Sequence, residues 1–230
     1  MIVGTGFIAN NFSSYEKDSN IIIYASGIPN VANFTEQGID REKDLLRKTV
    51  LDNPFCKIIY FSSCGIYDLE NFNNYSIHKL NMEEFIKSIS NNYLIFRLPV
   101  VVGAGANDNS LCQYFFNCIE NDISFDLWKS AYRYLIDIDD VFEIIKFVLD
   151  KDCFHNEIVN ISSSVKIKVL DIINILENFL DKKSNYRLCS KGSYYDIDIS
   201  KLKSEVRESI IYKKRYAESI LEKYYKKVVL

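Results

Sequence analysis

Residues 2–9 read Ile2-Val3-Gly4-Thr5-Gly6-Phe7-Ile8-Ala9, a G-x-G-x-x-A pattern between an apolar pair and a predicted helix. Gly4 permits a tight turn, Gly6 lets the backbone approach a pyrophosphate, and Ala9 allows a helix to pack closely on a strand. The first N–H groups and the dipole of that helix would attract the phosphates. Since a glycine turn without a ligand can carry the same spacing, the pattern has to be weighed with the sequence that follows it.

Apolar runs rich in β-branched and aromatic residues alternate with segments of helical spacing after this turn. We predict buried strands at 2–3, 21–24, 57–61 and 93–96, and helices at 7–15, 41–53 and 75–90. Buried strands of this kind are typical of parallel sheets that helices cover on both faces. The alternation therefore predicts an α/β fold with a Rossmann-like doubly wound parallel sheet and right-handed crossovers.

The remainder of the chain has a mixed pattern. We predict helices at 111–120, 141–149, 169–180 and 212–227, and one strand at 158–161. Residues 1–103 with about 136–165 are expected to form a dinucleotide-binding domain. Residues from about 104 to 135, with 166–230, are expected to form a small mixed C-terminal substrate-binding lobe.

The composition argues against several other classes of protein. The net charge is −3 without a basic block, which disfavours a nucleic-acid partner, and no apolar run reaches the ~18 residues of a membrane span. The six cysteines contain no C-x-x-C pair, and His78 and His155 lie far apart, so we expect no metal site. Residues 1–6 lack the features of a secretory signal, which predicts a cytoplasmic protein with reduced thiols.

A second motif follows the predicted strand at 57–61. Ser62 and Ser63 end that strand, and Tyr75 and Lys79 lie four residues apart on one face of the next helix. A lysine ammonium lowers the pKa of a neighbouring tyrosine, which can then transfer a proton to a carbonyl or alcohol oxygen. A serine hydroxyl can hydrogen-bond the same oxygen while a cofactor supplies a hydride. In a chain with 16 tyrosines, Y-x-x-x-K alone also fits a solvated helix face, but the order of the motifs favours the chemical interpretation.

Six blocks in this order resemble the extended short-chain dehydrogenase/reductases, the nucleotide-sugar epimerase/dehydratase/reductase family. The blocks are Gly6–Ala9 (its G-F-I-G), Ile22–Ser26 (its apolar strand ending in two alanines), Tyr60–Tyr67 (its S-S-x-x-x-Y), Tyr75–Lys79 (its Y-x-x-x-K), Phe96–Gly103 (its R-x-P-x-x-x-G) and Arg133–Val141 (its arginine followed by D-D-V). They extend over residues 2 to about 161. The resemblance implies NAD or NADP as the cofactor.

The resemblance also implies roles for particular residues. Ser63, four residues before Tyr67, would be the active-site hydroxyl, with Ser62 as second choice. Tyr75 would be the catalytic acid/base, and Lys79 would bind the nicotinamide ribose and tune Tyr75. The other implied cofactor contacts are Gly4, Thr5, Gly6, Phe7 and Ile8 at the pyrophosphate, Ala25 and Ser26 along the cofactor's path, and Pro99 beside the nicotinamide.

On the substrate side, the resemblance implies contacts by Ser63, Cys64 and Arg133. Arg133 would approach the diphosphate of a nucleotide-linked sugar, since a guanidinium binds phosphate through two parallel hydrogen bonds, but it fits an ordinary surface residue equally well. Cys64 could touch the substrate, although a packed thiol is the simpler interpretation. The family's dehydratases carry an acidic pair just after the active-site Ser/Thr, and Cys64-Gly65 in that place disfavours dehydration.

The chain also departs from the family pattern. About a dozen residues separate Ala9 from the strand at 21–24, where the family has two further strands, so we expect a sheet reduced in strand number on its adenine side. The acid expected to bind the adenosine ribose would fall within Ile22-Ile23-Tyr24, which is apolar. The sequence therefore does not distinguish NAD from NADP.

The expected function is that of an NAD(P)-dependent oxidoreductase that reduces a keto group of a nucleotide-linked sugar or polyol precursor, as in surface polysaccharide synthesis. Two alternatives stay open: a nucleotide-sugar epimerase with tightly bound NAD, and a non-catalytic dinucleotide-binding protein. By resemblance we also expect a homodimer formed through the helices at 41–53 and 75–90.

Overall fold

A computed structural model of the chain describes residues 1–29, 31, 34–192, 194–202, 206 and 215–226. The strands in these residues are β1 (Ile2–Val3), β2 (Ile21–Tyr24), β3 (Lys57–Ser63), β4 (Tyr93–Leu98), β5 (Val100–Val102), β6 (Phe125–Trp128), β7 (Tyr132–Asp137), β8 (Glu157–Asn160), β9 (Lys166–Lys168) and β10 (Tyr186–Cys189). The α-helices are α1 (Phe7–Asn11), α2 (Glu36–Asp52), α3 (Asn74–Ile89), α4 (Leu111–Glu120), α5 (Ile138–Asp150), α6 (Val169–Leu180) and α7 (Tyr216–Tyr225).

The chain divides into two compact units. The first unit contains Met1–Ile66, Phe72–Leu98 and Val141–Ile161. The second unit contains Tyr67–Asn71, Pro99–Asp140 and Ser162–Leu230. The glycine turn, the paired serines and the tyrosine–lysine helix all lie in the first unit.

The first unit is built on a five-stranded sheet in the order β1-β2-β3-β4-β8, and every pairing is parallel. This is the Rossmann-like α/β fold that the alternating pattern predicts. The usual doubly wound sheet has two strands beyond β1, whereas here β1 is an edge strand of the described sheet. The expected reduction in strand number is therefore confirmed, and it falls on the side of the sheet that carries the glycine turn.

Both faces of this sheet are covered, which explains why the four residues of β3 from Ile58 to Phe61 have no alternation of apolar and polar side chains. Ile58 and Tyr60 point to one face, where they pack with α2 and α3. Phe61 points to the other face, where its ring lies 5.4 Å from that of Phe12, and Phe12 in turn packs against Phe142 of α5. Successive side chains of a strand alternate between faces, so each half of the core takes every second residue.

The first connection of the sheet differs from the prediction in two ways. The predicted helix at 7–15 is a five-residue helix, α1, followed by a 3₁₀ turn at Ser13–Tyr15. The connection from β1 to β2 runs over the face of the sheet that carries Phe61, where Phe12 packs. The connection from β2 to β3 runs over the face that carries Tyr60, where α2 lies. Both connections lead to the next strand in the same direction across the sheet. The two connections therefore have opposite hands, and the expectation of uniformly right-handed crossovers is wrong for this pair.

Helix α2 begins at Glu36 rather than at Arg41, because the Thr35 side chain caps it by accepting a hydrogen bond from the Gly38 N–H at 3.1 Å. Two apolar residues of these helices are on the surface: Leu51 of α2 and Ile77 of α3 are 69% and 44% exposed. Both lie just off the stripe that faces the sheet, which holds Leu46 and Val50 in α2. A helix buries only the stripe facing its sheet, so neighbouring apolar residues remain exposed.

The second unit has strands that the sequence pattern does not indicate. Strand β7 pairs in parallel with β5 and antiparallel with β9, and β10 pairs in parallel with β6. The predicted helix at 212–227 is confirmed from Tyr216 to Tyr225, and its ends at 212–214 and 227 lie outside the described residues. Among the described residues, no helix has both the length and the apolarity to cross a membrane.

Candidate active site

The glycine turn is closed on the side of strand β2. Gly4 has a φ of +126°, a backbone conformation that side chains other than glycine rarely adopt. A Cβ on Gly4 would lie 2.5 Å from the Ala25 carbonyl oxygen and 3.1 Å from the Ser26 nitrogen. The turn therefore requires glycine at this position, and it brings Gly4 against Ala25 and Ser26.

The same turn is open on its other side. Thr5 and Gly6 are exposed, Phe7 and Ile8 are half-buried, and a Cβ on Gly6 would meet nothing within 4 Å. A turn with free space above a glycine lets a bulky anion approach the backbone closely, which is what a pyrophosphate needs. The residues present thus fit the phosphate portion of a dinucleotide. Because α1 has only five residues, the backbone N–H groups matter here more than a helix dipole.

Arg41 lies beside this turn, and the sequence pattern does not single it out. From helix α2, its guanidinium donates to the Ser26 carbonyl at 2.9 Å and to the Ser26 hydroxyl at 3.2 Å. The Ser26 backbone is the same segment that packs against Gly4. The Arg41 guanidinium is therefore held at Ser26, beside the contact between Gly4 and Ala25 that closes the glycine turn.

Tyr75 and Lys79 lie on one face of α3, as the Y-x-x-x-K spacing predicts. Asn73 caps this helix, and its side chain accepts hydrogen bonds from the N–H groups of Tyr75 and Ser76. The Nζ of Lys79 lies 5.7 Å from the centroid of the Tyr75 ring. The half-buried Tyr75 hydroxyl donates to the Pro29 carbonyl at 3.4 Å, a long hydrogen bond that a better acceptor could replace.

Lys79 itself is almost completely buried. Its ammonium donates to the Tyr60 hydroxyl at 3.2 Å and lies 3.7 Å from Glu42 Oε1. A Cβ on Gly27 would be 2.9 Å from Lys79 Nζ and 2.7 Å from Glu42 Oε1, so the loop after β2 runs directly over this pair. The lysine is fixed by a network, whereas an isolated ammonium on a long side chain would be free to change rotamer.

Glu42 is the centre of that network and is fully buried. Its Oε1 accepts a hydrogen bond from the Tyr60 hydroxyl at 2.6 Å, and its Oε2 accepts one from the Ile28 N–H at 2.8 Å and lies 2.9 Å from His78 Nε2. Burial raises the pKa of the Glu42 carboxyl. The Lys79 charge and these hydrogen bonds together lower the pKa by more than burial raises it, and the pKa is about 2. Glu42 is therefore a buried carboxylate, and it balances the charge of Lys79.

The two serines at the end of β3 have different surroundings. Ser62 is buried and donates to Glu83 at 2.5 Å, and Glu83 also binds the Arg97 guanidinium through two hydrogen bonds. Ser63 is half-buried, and its hydroxyl oxygen accepts from the Gly65 N–H at 3.0 Å. The Ser62 hydroxyl is thus already used in a buried hydrogen-bond network with Glu83 and Arg97. Ser63 is therefore the better candidate for contact with a substrate.

Cys64 is fully buried, and its thiol donates to the Arg97 carbonyl at 3.3 Å. Burial raises the pKa of this thiol far above the ordinary value, and the charge of Arg97 opposes the effect only in part. The arrangement fits the packed-thiol interpretation rather than contact with a substrate.

Pro99 and Arg133 lie in the second unit. Pro99 directly follows β4 and is half-buried. Arg133, on β7, lies 3.7 Å from Asp68 Oδ2 and donates to the Tyr132 carbonyl at 2.7 Å. The guanidinium is therefore already paired with a buried carboxylate, which differs from a free surface arginine.

Sequence reasoning missed Glu42, Tyr60, His78, Glu83 and Arg41. A signal exists for two of them: Glu42 stands in the stripe of Leu46 and Val50, and Glu83 follows Lys79 by four residues on the buried face of α3. A carboxylate within an apolar stripe indicates a buried charge that has a partner elsewhere. The identity of that partner depends on the packing of α2 against α3 and the sheet.

The model of the NAD dependent epimerase/dehydratase family matches residues 46–162, about half of the chain. No curated protein matches the chain. The fold is similar to that of UDP-glucuronic acid 4-epimerase from Bacillus cereus in complex with UDP-glucuronic acid and NAD, with a TM-score of 0.71 and 18% identity over 95% of this chain and 78% of that chain.

Two further solved structures are similar to this chain. RMD from Pseudomonas aeruginosa complexed with NADPH has a TM-score of 0.69 and 11% identity, over 95% of each chain. The dTDP-glucose 4,6-dehydratase from Bacillus anthracis in complex with NAD has a TM-score of 0.65 and 15% identity, over 95% of this chain and 79% of that chain. At this level of identity the likeness establishes a shared fold.

Proposed function

Because the chain belongs to the NAD dependent epimerase/dehydratase family, we propose that it is an NAD(P)-dependent oxidoreductase that reduces a keto group of a nucleotide-linked sugar. One observation carries the proposal: the Lys79 ammonium is fixed 5.7 Å from the centre of the half-buried Tyr75 ring, in the unit that also holds the glycine turn. A phenol held beside a cation, with its hydroxyl on a weak acceptor, is suited to proton transfer.

The cofactor would be NAD or NADP, bound at the glycine turn by Gly4, Thr5, Gly6, Phe7 and Ile8. Ala25 and Ser26 would lie along its path and Pro99 beside its nicotinamide. When bound in reduced form, this group supplies the hydride.

The residues of the chain would control the other half of the reaction. Tyr75 would donate its phenolic proton to the carbonyl oxygen of the substrate as that oxygen becomes an alcohol. Ser63 would donate a hydrogen bond to the same oxygen and stabilise the charge that develops there. Lys79, which the Gly27 loop covers, would act through its charge and stabilise the phenolate that remains on Tyr75, while Glu42 keeps the ammonium in place.

We further propose that the second unit forms the substrate lobe and that Arg133 contacts the diphosphate of the sugar nucleotide. Asp68 pairs with the Arg133 guanidinium on one side. This pairing fixes the orientation of the guanidinium, so that its remaining N–H groups could bind a phosphate. A product with a new hydroxyl on a nucleotide-linked sugar suits the synthesis of surface polysaccharides. Cys64-Gly65 after the active-site serine argues against a dehydratase.

The experiment presents purified protein with NADH or NADPH and a panel of UDP- and dTDP-linked keto sugars, and measures the loss of nicotinamide absorbance. Net oxidation of the reduced cofactor with formation of the alcohol supports the reductase. Tightly bound NAD that is released only on denaturation, with sugar interconversion but no net oxidation, supports the epimerase instead. If calorimetry detects no binding of either dinucleotide, both enzymatic assignments fail.

We also propose a homodimer that forms through α2 and α3. A groove of about 360 Å³ lies between these helices, and the exposed Ile77 and the half-buried Phe34 and Phe85 line it. A surface groove between two helices that exposes apolar side chains is suited to contact with the same groove of a second copy. Light scattering should give the dimer mass for the wild type and the monomer mass for Ile77→Glu, whereas a monomeric wild type contradicts the proposal.

A further inference from the structure

The glycine turn stands at the edge of the described sheet, and this position limits what can be bound beside it. A usual doubly wound sheet consists of two mononucleotide-binding halves, and the dinucleotide lies across the point where the strand order reverses. In this chain the order β1-β2-β3-β4-β8 runs in one direction only. The described sheet therefore provides one of the two halves, the one that extends from β1 toward the tyrosine–lysine helix.

The second strand of the chain, where the spacing from the glycines would place a ribose-binding acid, offers none. Strand β2 ends in Ile22-Ile23-Tyr24, and all three residues are buried. The Tyr24 hydroxyl donates to the Glu42 carbonyl at 2.9 Å, so it faces the core under α2. This strand end therefore offers no carboxylate for the contact that usually binds the adenosine ribose.

Arg41 supplies charge where the phosphates would lie. Its guanidinium carries five N–H donors, and Ser26 accepts two hydrogen bonds from it. The side chain is exposed, and within the described ranges none of the ion pairs contains Arg41. A guanidinium with free donors, anchored beside a backbone turn that is open above Gly6, is suited to binding a phosphate oxygen.

We propose that this site binds the cofactor by its phosphates and its nicotinamide end, with Arg41 as a phosphate-binding residue, and that adenosine contributes little to affinity. The proposal rests on the proposed function and specifies which part of the cofactor the site recognises. The 2′-phosphate that distinguishes NADP from NAD belongs to the adenosine half, so the same reasoning predicts weak discrimination between the two.

The test is isothermal titration calorimetry with NADH, NADPH and reduced nicotinamide mononucleotide, on the wild type and two variants. Arg41→Gln removes the charge but keeps a side chain that can hydrogen-bond Ser26. Lys48→Gln is the matched control, since it removes one exposed charge about 10 Å further along the same helix. Thermal melts of all three proteins verify that the variants fold.

The wild type should bind the three ligands with affinities within about tenfold of one another. Arg41→Gln should weaken all three by roughly 10- to 100-fold and by similar factors, because a charge-assisted hydrogen bond to a shared phosphate is lost. Lys48→Gln should bind as the wild type does.

Other outcomes overturn the proposal in distinguishable ways. If NADH binds more than about tenfold more tightly than the mononucleotide, adenosine is recognised and the half-site is wrong, while the proposed function stands. If Arg41→Gln binds all ligands normally, the role of Arg41 is wrong. If none of the three ligands binds to the folded wild type, both this inference and the proposed function fail.

Discussion

Lys79 Nζ and Glu42 Oε1 lie 3.7 Å apart, and both side chains are buried. A family motif of tyrosine and lysine is thus combined with a carboxylate from a different helix, and Tyr60 hydrogen-bonds both members of the pair. The pair balances two charges that would each be costly alone in the core. It also fixes the ammonium beside Tyr75, so the same contact affects both stability and the proposed chemistry.

Replacing Glu42 by Gln should destabilise the protein by about 3–5 kcal/mol, because the ammonium of Lys79 is then buried without its counter-charge. Urea denaturation followed by circular dichroism measures this free energy of unfolding. Asp44→Asn on the exposed side of the same helix is the control and should change it by less than about 0.5 kcal/mol. An equal effect of the two substitutions would show that the buried pair is not a determinant of stability.

The same carboxylate predicts a pH dependence. The pKa of Glu42 is about 2 in the folded protein against an ordinary value of 4.5, so the unfolded chain takes up this proton first as the pH falls. The stabilisation is complete above pH 4.5, amounts to about 3 kcal/mol, and is lost as the pH falls toward 2. The difference in unfolding free energy between wild type and Glu42→Gln should therefore shrink from pH 6 to pH 3. A difference that stays constant over this range would exclude the titration of Glu42 as its cause.

The two serines of β3 should respond differently to replacement by alanine. Ser63→Ala should lower kcat by roughly 10²- to 10³-fold, because it removes a donor to the carbonyl oxygen of the substrate, and should lower stability by less than about 1 kcal/mol, because only the hydrogen bond from the Gly65 N–H is lost. Ser62→Ala should instead lower stability by about 1–3 kcal/mol, since Glu83 loses a buried hydrogen bond, and the folded fraction should keep its activity. Steady-state rates and melts of both variants decide between them, and the reverse pattern would transfer the catalytic role to Ser62.

The two glycines of the turn provide a further matched pair. Gly6→Ala should fold normally, because a Cβ there meets nothing and the φ is −85°, but it should weaken NADH binding by about tenfold or more. Gly4→Ala should destabilise the protein itself, because of its positive φ and the contact with Ala25. Calorimetry and thermal melts separate the two effects. Unchanged NADH affinity in Gly6→Ala would place the cofactor elsewhere.

The sequence predicts the first unit better than the second, for physical reasons. Strands such as Ile21–Tyr24 and Lys57–Ser63 are buried on both faces, so their composition alone identifies them. Strand β10 is largely exposed and depends on pairing with β6, and no periodic apolar pattern reveals it. Short half-exposed strands of this kind are specified by their tertiary partners.

The candidate site divides in the same way. Tyr75, Lys79 and the glycine turn have local spacings that can be recognised in the sequence. Glu42, His78 and Arg41 act through contacts with segments 14 to 37 residues distant, which only the packing of the helices defines. The shared network around Lys79 could therefore not be inferred before the structure.

The most direct measurement is a single-turnover reaction of the NADH-loaded protein with a UDP-linked 4-keto-hexose, followed by nicotinamide absorbance. Tyr75→Phe should bind NADH normally and lose the rate of hydride transfer by roughly 10²- to 10⁴-fold, since the phenolic proton can no longer reach the carbonyl oxygen. Tyr15→Phe, which removes a phenol hydroxyl on the opposite face of the sheet, should keep the wild-type rate. A Tyr75→Phe protein that transfers hydride at the full rate would contradict the assignment of Tyr75 as the proton donor.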